Sequence, residues 1–139
     1  MGERLLEYGA VEVGDAGPPL EHTLTRTDLV VYAGASGDFN PMHTDEIAAQ
    51  HAGLPSVFGH GMLTAGLLAT AVTNYVGLGN LTSYKVRFTR QTWPGETLTT
   101  RVTVAAKDDI TRQLTLDCSV TNQHGETKVA GEAIAALPV

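Results

Sequence analysis

Residues 61–76 read GMLTAGLLATAVTNYV, and none of them carries a charge. Apolar residues cover nearly the whole circumference of the helix that this stretch would form, so the helix must be enclosed on most sides. Gly77 and Gly79 end it, and threonine and asparagine residues interrupt the uncharged run that continues to residue 84. We therefore expect a helix buried within a folded domain and not a membrane span.

Strand patterns follow this helix. Apolar and polar residues alternate at period two in four later segments, which is typical of strands with one buried face. Turn sequences separate the segments, so neighbouring strands are expected to run antiparallel, as a meander. The segments are residues 81–89, 97–104, 112–121 and 128–137, and the turns are Pro94-Gly95, Asp108-Asp109 and His124-Gly125.

Shorter elements are expected before the helix. Residues 20–24 alternate loosely and indicate a strand. Thr25, with Asp28 three residues later, gives a capping pattern that predicts a short helix ending at Gly34.

The connection to the buried helix is predicted to be mostly ordered loop. Residues 35–60 are punctuated by glycine and proline. Within them a short helix is expected from Asp45 to about His51, with Thr44 as its cap.

Together these elements predict an α+β fold. One buried helix followed by an antiparallel meander gives a sheet that wraps a long central helix. This is the outline of a hot-dog fold. The length of 139 residues is that of one domain, so residues 1–139 are treated as a single unit.

Composition excludes several classes of function. Nine Lys plus Arg against 15 Asp plus Glu give a net charge of −6, without any basic block, which argues against binding to nucleic acid or anionic membranes. Cys118 is the only cysteine, which excludes a disulfide framework and a cysteine zinc site and fits a reducing compartment. The first 15 residues lack the order of a secretory signal, so a cytoplasmic location is expected.

Residues 36–43, SGDFNPMH, bring together side chains that can move protons. Asp38 and His43 are five residues apart and separated by a rigid Asn-Pro step, so both can point into one pocket. A carboxylate and an imidazole are well suited to proton transfer near neutral pH. The alternative is that Asp38 and Asn40 make only turn hydrogen bonds and that His43 caps a helix.

The sequence GHGM at residues 59–62 lies at the start of the buried helix. The first backbone N–H groups of a helix have no partner within the helix, and glycine lets a ligand come close to them. With the positive end of the helix dipole, these groups can hold a carbonyl oxygen that gains negative charge. With the acid/base pair, they could support proton transfer beside a thioester carbonyl. Alone, His60-Gly61 is more often a capping loop.

Four blocks of the chain carry a resemblance to a known family. The blocks are YAGASGDFNPMHTDEIAAQHAG (32–53), FGHGMLTAG (58–66), YKVRFTRQTWPGETL (84–98) and GEAIAALP (131–138). They resemble the MaoC-like hydratases and dehydratases, which include R-specific enoyl-CoA hydratases and (3R)-hydroxyacyl-carrier-protein dehydratases. The resemblance extends over nearly the whole chain from about residue 9.

The resemblance implies a reaction and roles for site residues. The family adds water to a trans-2-enoyl thioester to give a (3R)-3-hydroxyacyl thioester, or removes it, without a metal or redox cofactor. CoA or phosphopantetheine enters as part of the substrate. By position, Asp38 and His43 would be the catalytic pair and Asn40 would orient them. The thioester carbonyl would bind the N–H of Gly61, within a substrate-binding segment that includes His60 and Met62.

The resemblance also bears on partners. The substrate would be an acyl-CoA or an acyl carrier protein. One open sheet edge and a half-built acyl pocket predict a two-fold homodimer joined edge to edge, with the pocket at or near the interface. Lys85 and Arg87 share one strand face, which is either a solvated face or a contact for the carrier phosphates.

Three other interpretations remain open from the sequence. His43 and Asp45, with His124 as a distal ligand, match the pattern of a non-haem iron site, although such sites normally lie in barrels of about eight strands. Hot-dog domains also act as acyl-thioesterases, which generally lack the Asp/Asn-Pro/His loop. Some relatives are the catalytic half of a heterodimeric hydroxyacyl-carrier-protein dehydratase.

Overall fold

The fold, taken from a computed structural model, combines three α-helices with a five-stranded antiparallel sheet and is described for residues 6–138. Residues 1–5, which the search for a targeting signal included, and residue 139 lie outside the described part. The helices are α1 (Arg26–Ser36), α2 (Glu46–His51) and α3 (Gly61–Val76). The strands are β1 (Glu21–Thr23), β2 (Leu81–Phe88), β3 (Thr97–Asp108), β4 (Gln113–Thr121) and β5 (Thr127–Ala136).

Helix α3 forms the centre of the fold, with the bounds predicted from its sequence. One side of it packs against the inner face of the sheet, where burial of apolar side chains supplies most of the stabilising free energy. The hydroxyl of Tyr84 on β2 donates a hydrogen bond of 2.6 Å to the carbonyl of Ala65 on α3. Burial raises the pKa of Tyr84 to about 12. The packed residues include Leu68, Val72, Val76, Leu98, Val102, Leu114, Leu116 and Val120.

The predicted meander is wrong for one strand. The sheet order is β1-β3-β4-β5-β2, so β3, β4 and β5 follow one another as expected, but β2 pairs with β5 and not with β3. Gly131 permits this pairing, because a Cβ at that position would clash with the carbonyl of Lys85. The Pro94-Gly95 turn is present, but it belongs to a connection, residues 89–96, that crosses from one edge of the sheet towards the other.

Helix α1 begins as predicted and ends later than predicted. Thr25 and Asp28 form a complete capping box, in which each side chain accepts a hydrogen bond from the backbone N–H of the other. Burial acts to raise the pKa of Asp28, but hydrogen bonds from Thr25 and His22 together lower it. The helix continues through Gly34 and stops at Gly37, whose φ of 77° is left-handed and favours glycine.

The cap of α2 is also different from the prediction. The carboxylate of Asp45 accepts a hydrogen bond of 3.1 Å from the N–H of Ala48 and caps the helix. Thr44 instead ends the short 3-10 turn Pro41–His43, where its N–H donates to the carbonyl of Pro41. Among residues 6–138 no helix has the length and apolar character needed to cross a bilayer.

Candidate active site

The loop between α1 and α2 is shaped by short polar side chains. The N–H of Asn40 donates to Oδ1 of Asp38 at 3.3 Å, and Oδ1 of Asn40 accepts from the N–H of Met42 at 3.1 Å. Asn40 thereby caps the 3-10 turn that carries His43. The backbone of Asn40 thus contacts Asp38 and its side chain contacts the turn that carries His43. An orienting role for Asn40 stays a prediction.

Asp38 and His43 lie close together but do not contact each other directly. Oδ2 of Asp38 is 3.9 Å from Nε2 of His43, beyond the length of a hydrogen bond. The His43 side chain is 9% exposed and the Asp38 side chain is 53% exposed, so solvent reaches the pair from the side of the carboxylate. A water oxygen about 2.8 Å from each atom would fit this separation.

A backbone carbonyl fixes the protonation of the His43 ring. Nδ1 of His43 is 2.6 Å from the carbonyl oxygen of Phe58, which can only accept a hydrogen bond. Nδ1 therefore carries a hydrogen, and in the neutral ring Nε2 is an acceptor. The two groups that face each other across the gap, Nε2 and the ionised carboxylate of Asp38, are then both acceptors.

His60 contacts both Asp38 and His43 through its ring. Its Nε2 donates a hydrogen bond of 3.1 Å to the backbone carbonyl of Asp38. Its ring stacks on that of His43, with centroids 3.8 Å apart and planes inclined by 25°, and it also packs against Tyr32 at 4.8 Å. The residue is 2% exposed. The structure thus places the imidazole of His60 against Asp38 and His43, and its backbone just before Gly61.

The start of α3 opens into a cleft of about 290 Å³, here called the Gly61 cleft. Gly61 is helical, so space and not backbone angle favours glycine there. A Cβ on Gly61 would lie 3.0 Å from the ring of Phe88. Met62, on the same turn, is 61% exposed. The lining includes Phe58, Gly61, Thr64, Phe88, Arg90 and Thr92.

Lys85 and Arg87 do not line the Gly61 cleft. Both are exposed on β2 and border a separate, shallow depression together with Asp117 and Glu132. Two carboxylates beside two cations make this surface mixed in charge. Contact of Lys85 and Arg87 with carrier phosphates stays a prediction.

The iron-site interpretation is not supported by the geometry. Asp45 caps α2, and His124 lies in the turn between β4 and β5. In the described part of the chain, Asp38, His43 and His60 are the only His, Cys, Asp or Glu residues that converge as a group of three. Stacked imidazoles direct their nitrogen lone pairs in nearly parallel planes, which disfavours shared coordination of one ion.

Comparison with known proteins assigns the chain to a family. The family described as MaoC like domain matches residues 14–126. The chain belongs to the MaoC-like domain family. The prediction made from the four sequence blocks is thereby confirmed.

Relatives and solved structures agree with the MaoC-like assignment. An (R)-specific enoyl-CoA hydratase from Rhodospirillum rubrum is 31% identical, over 86% of this chain and 83% of the relative. A 3-hydroxyacyl-thioester dehydratase from Mycobacterium tuberculosis is 42% identical over 55% of this chain, which spans only 28% of that longer relative.

The unliganded R-hydratase from Pseudomonas aeruginosa has the same fold. It superimposes with a TM-score of 0.86 and 30% identity, over 96% of this chain and 86% of the other. The predicted hot-dog fold of this MaoC-like chain is confirmed.

Two features of the site were missed from the sequence. The carbonyl of Phe58 sets the His43 ring, but any residue at position 58 has a carbonyl, so residue type carries no signal for it. Thr64 lines the Gly61 cleft, and its spacing of three residues from Gly61 would have placed both on one helix face.

The hydrogen bonds predict the tautomers of two buried histidines. In their neutral forms, the ring of His43 should be protonated on Nδ1 and that of His60 on Nε2, because each of these nitrogens faces a backbone carbonyl that can only accept. Long-range ¹H–¹⁵N spectra of the imidazole rings distinguish the two forms, and exposed His51 provides the reference for a ring exchanging between tautomers. A His43 ring protonated on Nε2 would contradict the assigned bond to Phe58.

Proposed function

We propose that this chain catalyses the reversible hydration of trans-2-enoyl thioesters to (3R)-3-hydroxyacyl thioesters. The observation that carries the proposal is the gap between Nε2 of His43 and the carboxylate of Asp38, two acceptors 3.9 Å apart beside the start of a buried helix. The proposal is supported by the relatives, which are an (R)-specific enoyl-CoA hydratase from Rhodospirillum, a 3-hydroxyacyl-thioester dehydratase from Mycobacterium and an R-hydratase from Pseudomonas.

A water molecule between the two acceptors would donate one hydrogen to each. Its oxygen is then free to attack C3 of the enoyl group as one O–H bond breaks and its proton passes to the pair. The C2–C3 double bond becomes single, and the electron pair moves onto the thioester carbonyl as an enolate. The pair returns one proton to C2, so atoms and charge balance over the cycle.

The enolate oxygen needs a donor as its charge grows. The N–H of Gly61, the first residue of α3, has no partner within the helix, and Gly61 lines the cleft. A single preorganised donor of this kind typically contributes about 3 kcal/mol to lowering the barrier. Neither step calls for a metal or redox cofactor, and CoA or phosphopantetheine arrives with the substrate.

Replacing either member of the pair should abolish most of the activity. Asp38→Asn and His43→Gln should each lower the rate of crotonyl-CoA hydration by at least ~10²-fold, because each removes a positioned acid or base. Loss of enoyl absorbance measures hydration, and release of free thiol measures thioester hydrolysis. His51→Gln, at an exposed histidine, is the control and should match the wild type. Near-normal hydration by either variant would remove that residue from the mechanism.

Gly61→Val should damage catalysis more than folding. A side chain there would narrow the cleft and press on Phe88, which is 53% exposed and can move, while the helix would still form. We expect turnover to fall at least ~10²-fold, as for loss of an oxyanion donor, with nearly unchanged melting. Gly34→Val, at an open position inside α1, is the matched control. A variant that stays active, or that simply unfolds, would return Gly61 to a structural role.

The free edge of β2 predicts a second copy. Among residues 6–138, β2 is the last strand of the sheet and is eight residues long, so its outer edge offers backbone groups that no described strand pairs. We propose a two-fold homodimer joined at this edge, with the cleft at or near the interface. Analytical ultracentrifugation at micromolar concentration should show a dimer. A monomer that hydrates crotonyl-CoA alone would contradict it, and activity only with a related subunit would favour a heterodimer.

A further inference from the structure

Thr64 carries a buried hydroxyl without a hydrogen-bond partner. The residue is 2% exposed, and within residues 6–138 no group bonds its Oγ1. Other threonines of α3 show how a helix can satisfy such a hydroxyl: Thr70 donates to the carbonyl of Gly66 at 2.9 Å and Thr73 to that of Thr70 at 3.3 Å. Thr64 makes no bond of this kind, although buried hydroxyls in folded proteins are normally paired.

Thr64 lies next to the proposed site of the thioester carbonyl. Thr64 follows Gly61 by three residues, so both lie on one face of α3, and helical side chains lean towards the preceding turn. Both residues line the Gly61 cleft. Thr64 also lines a second, mainly apolar cleft of about 410 Å³ with Tyr32, Leu63 and Leu67. Thr64 therefore lies where the two clefts meet, one turn from Gly61.

Thr92 provides a useful comparison within the same cleft. Its Oγ1 is also buried and without a partner in the described part of the protein. However, a Cβ on Gly59 would clash with this oxygen, so the hydroxyl of Thr92 is turned against the main chain of Gly59. Thr64 differs from Thr92 in sharing a helix face with the proposed carbonyl site.

We infer that Oγ1 of Thr64 donates a second hydrogen bond to the thioester carbonyl oxygen, beside the N–H of Gly61. This inference rests on the proposed hydration of enoyl thioesters. The enolate oxygen can accept two hydrogen bonds, and the hydroxyl gains a partner only when substrate is bound. No covalent bond to Thr64 is made or broken in the reaction. The contribution is electrostatic and grows as charge develops on the oxygen.

A hydroxyl whose only partner is the substrate can be distinguished from a structural one by the stability and turnover of a variant that lacks it. If its only partner is the substrate, replacing threonine with valine of the same shape removes an unpaired buried polar group and should not lower stability. The same change should lower turnover. A hydroxyl with a structural role would show the opposite result, because its loss would lower the melting temperature.

The test uses the full chain and three variants: Thr64→Val, Thr64→Ser and Thr73→Val. Hydration of crotonyl-CoA and a longer trans-2-enoyl-CoA gives kcat and KM, and thermal unfolding is measured on the same samples. Thr64→Val should lower kcat by ~10²-fold with little change in KM and with melting unchanged or higher. Thr64→Ser keeps the hydroxyl and should stay within a few-fold of the wild type. Thr73→Val, on the same helix but away from the clefts, should match the wild type in activity.

Several outcomes would overturn the role of Thr64. Normal kcat in Thr64→Val would do so, as would a change confined to KM, which indicates a contact made equally in the ground state. A marked fall in melting, or failure to fold, would show a partner within the protein. If the wild type hydrates enoyl-CoA and Thr64→Val does too, only this inference fails. An inactive wild type would instead remove the proposed function and, with it, this inference.

Discussion

The packing of α3 against the sheet is the constraint on which the architecture depends. The helix is apolar around most of its circumference, and the sheet covers one side of it, while Gly61 and Met62 in its first turn stay exposed. The segments that lead to this turn bury polar backbone groups, each of which needs a partner. The carbonyls of Phe58 and Asp38 find theirs in His43 and His60, and the N–H of Gly59 donates to the carbonyl of Thr92. The candidate site is thus built from the groups that close the end of the fold.

A buried ion pair joins the connection between β2 and β3 to strand β5. Lys128 is 3% exposed, and its ammonium lies 3.0 Å from the carboxylate of Glu96 and 2.9 Å from the carbonyl of Gln91. Removing one partner of such a pair typically costs about 3–5 kcal/mol, because the other charge is left buried and unpaired. The pair sets the path of the connection between β2 and β3, whose Thr92 carbonyl in turn holds Gly59. The shape of the Gly61 cleft therefore depends on charges that lie outside it.

Sequence patterns predicted the elements better than their arrangement. The bounds of α3 follow from periodicity, and those of β2, β4 and β5 do so to within one residue, because burial of one face sets the pattern within each segment. The strand predicted over 97–104 instead continues to Asp108, because a bulge between Val104 and Ala106 breaks its alternation. The position of β2 beside β5 depends on contacts between distant segments, such as Gly131 with Lys85, and no local pattern reveals it. Similarly, the pairing of Asp38 with His43 could be expected from their spacing. The Phe58 carbonyl that sets the imidazole is a backbone group, and the sequence does not single it out.

The two members of the proposed catalytic pair differ in how firmly they are held. The ring of His43 is fixed by the carbonyl of Phe58, by the edge of the Phe58 ring at 4.9 Å and by the stacked ring of His60. Asp38 is held through its backbone and one carboxylate oxygen, while the rest of its side chain faces solvent. In the proposed reaction, a buried, oriented acceptor would keep the attacking water in one geometry, and an exposed carboxylate would let that water enter. Hydration requires both, because water must enter for each turnover yet attack from a single direction.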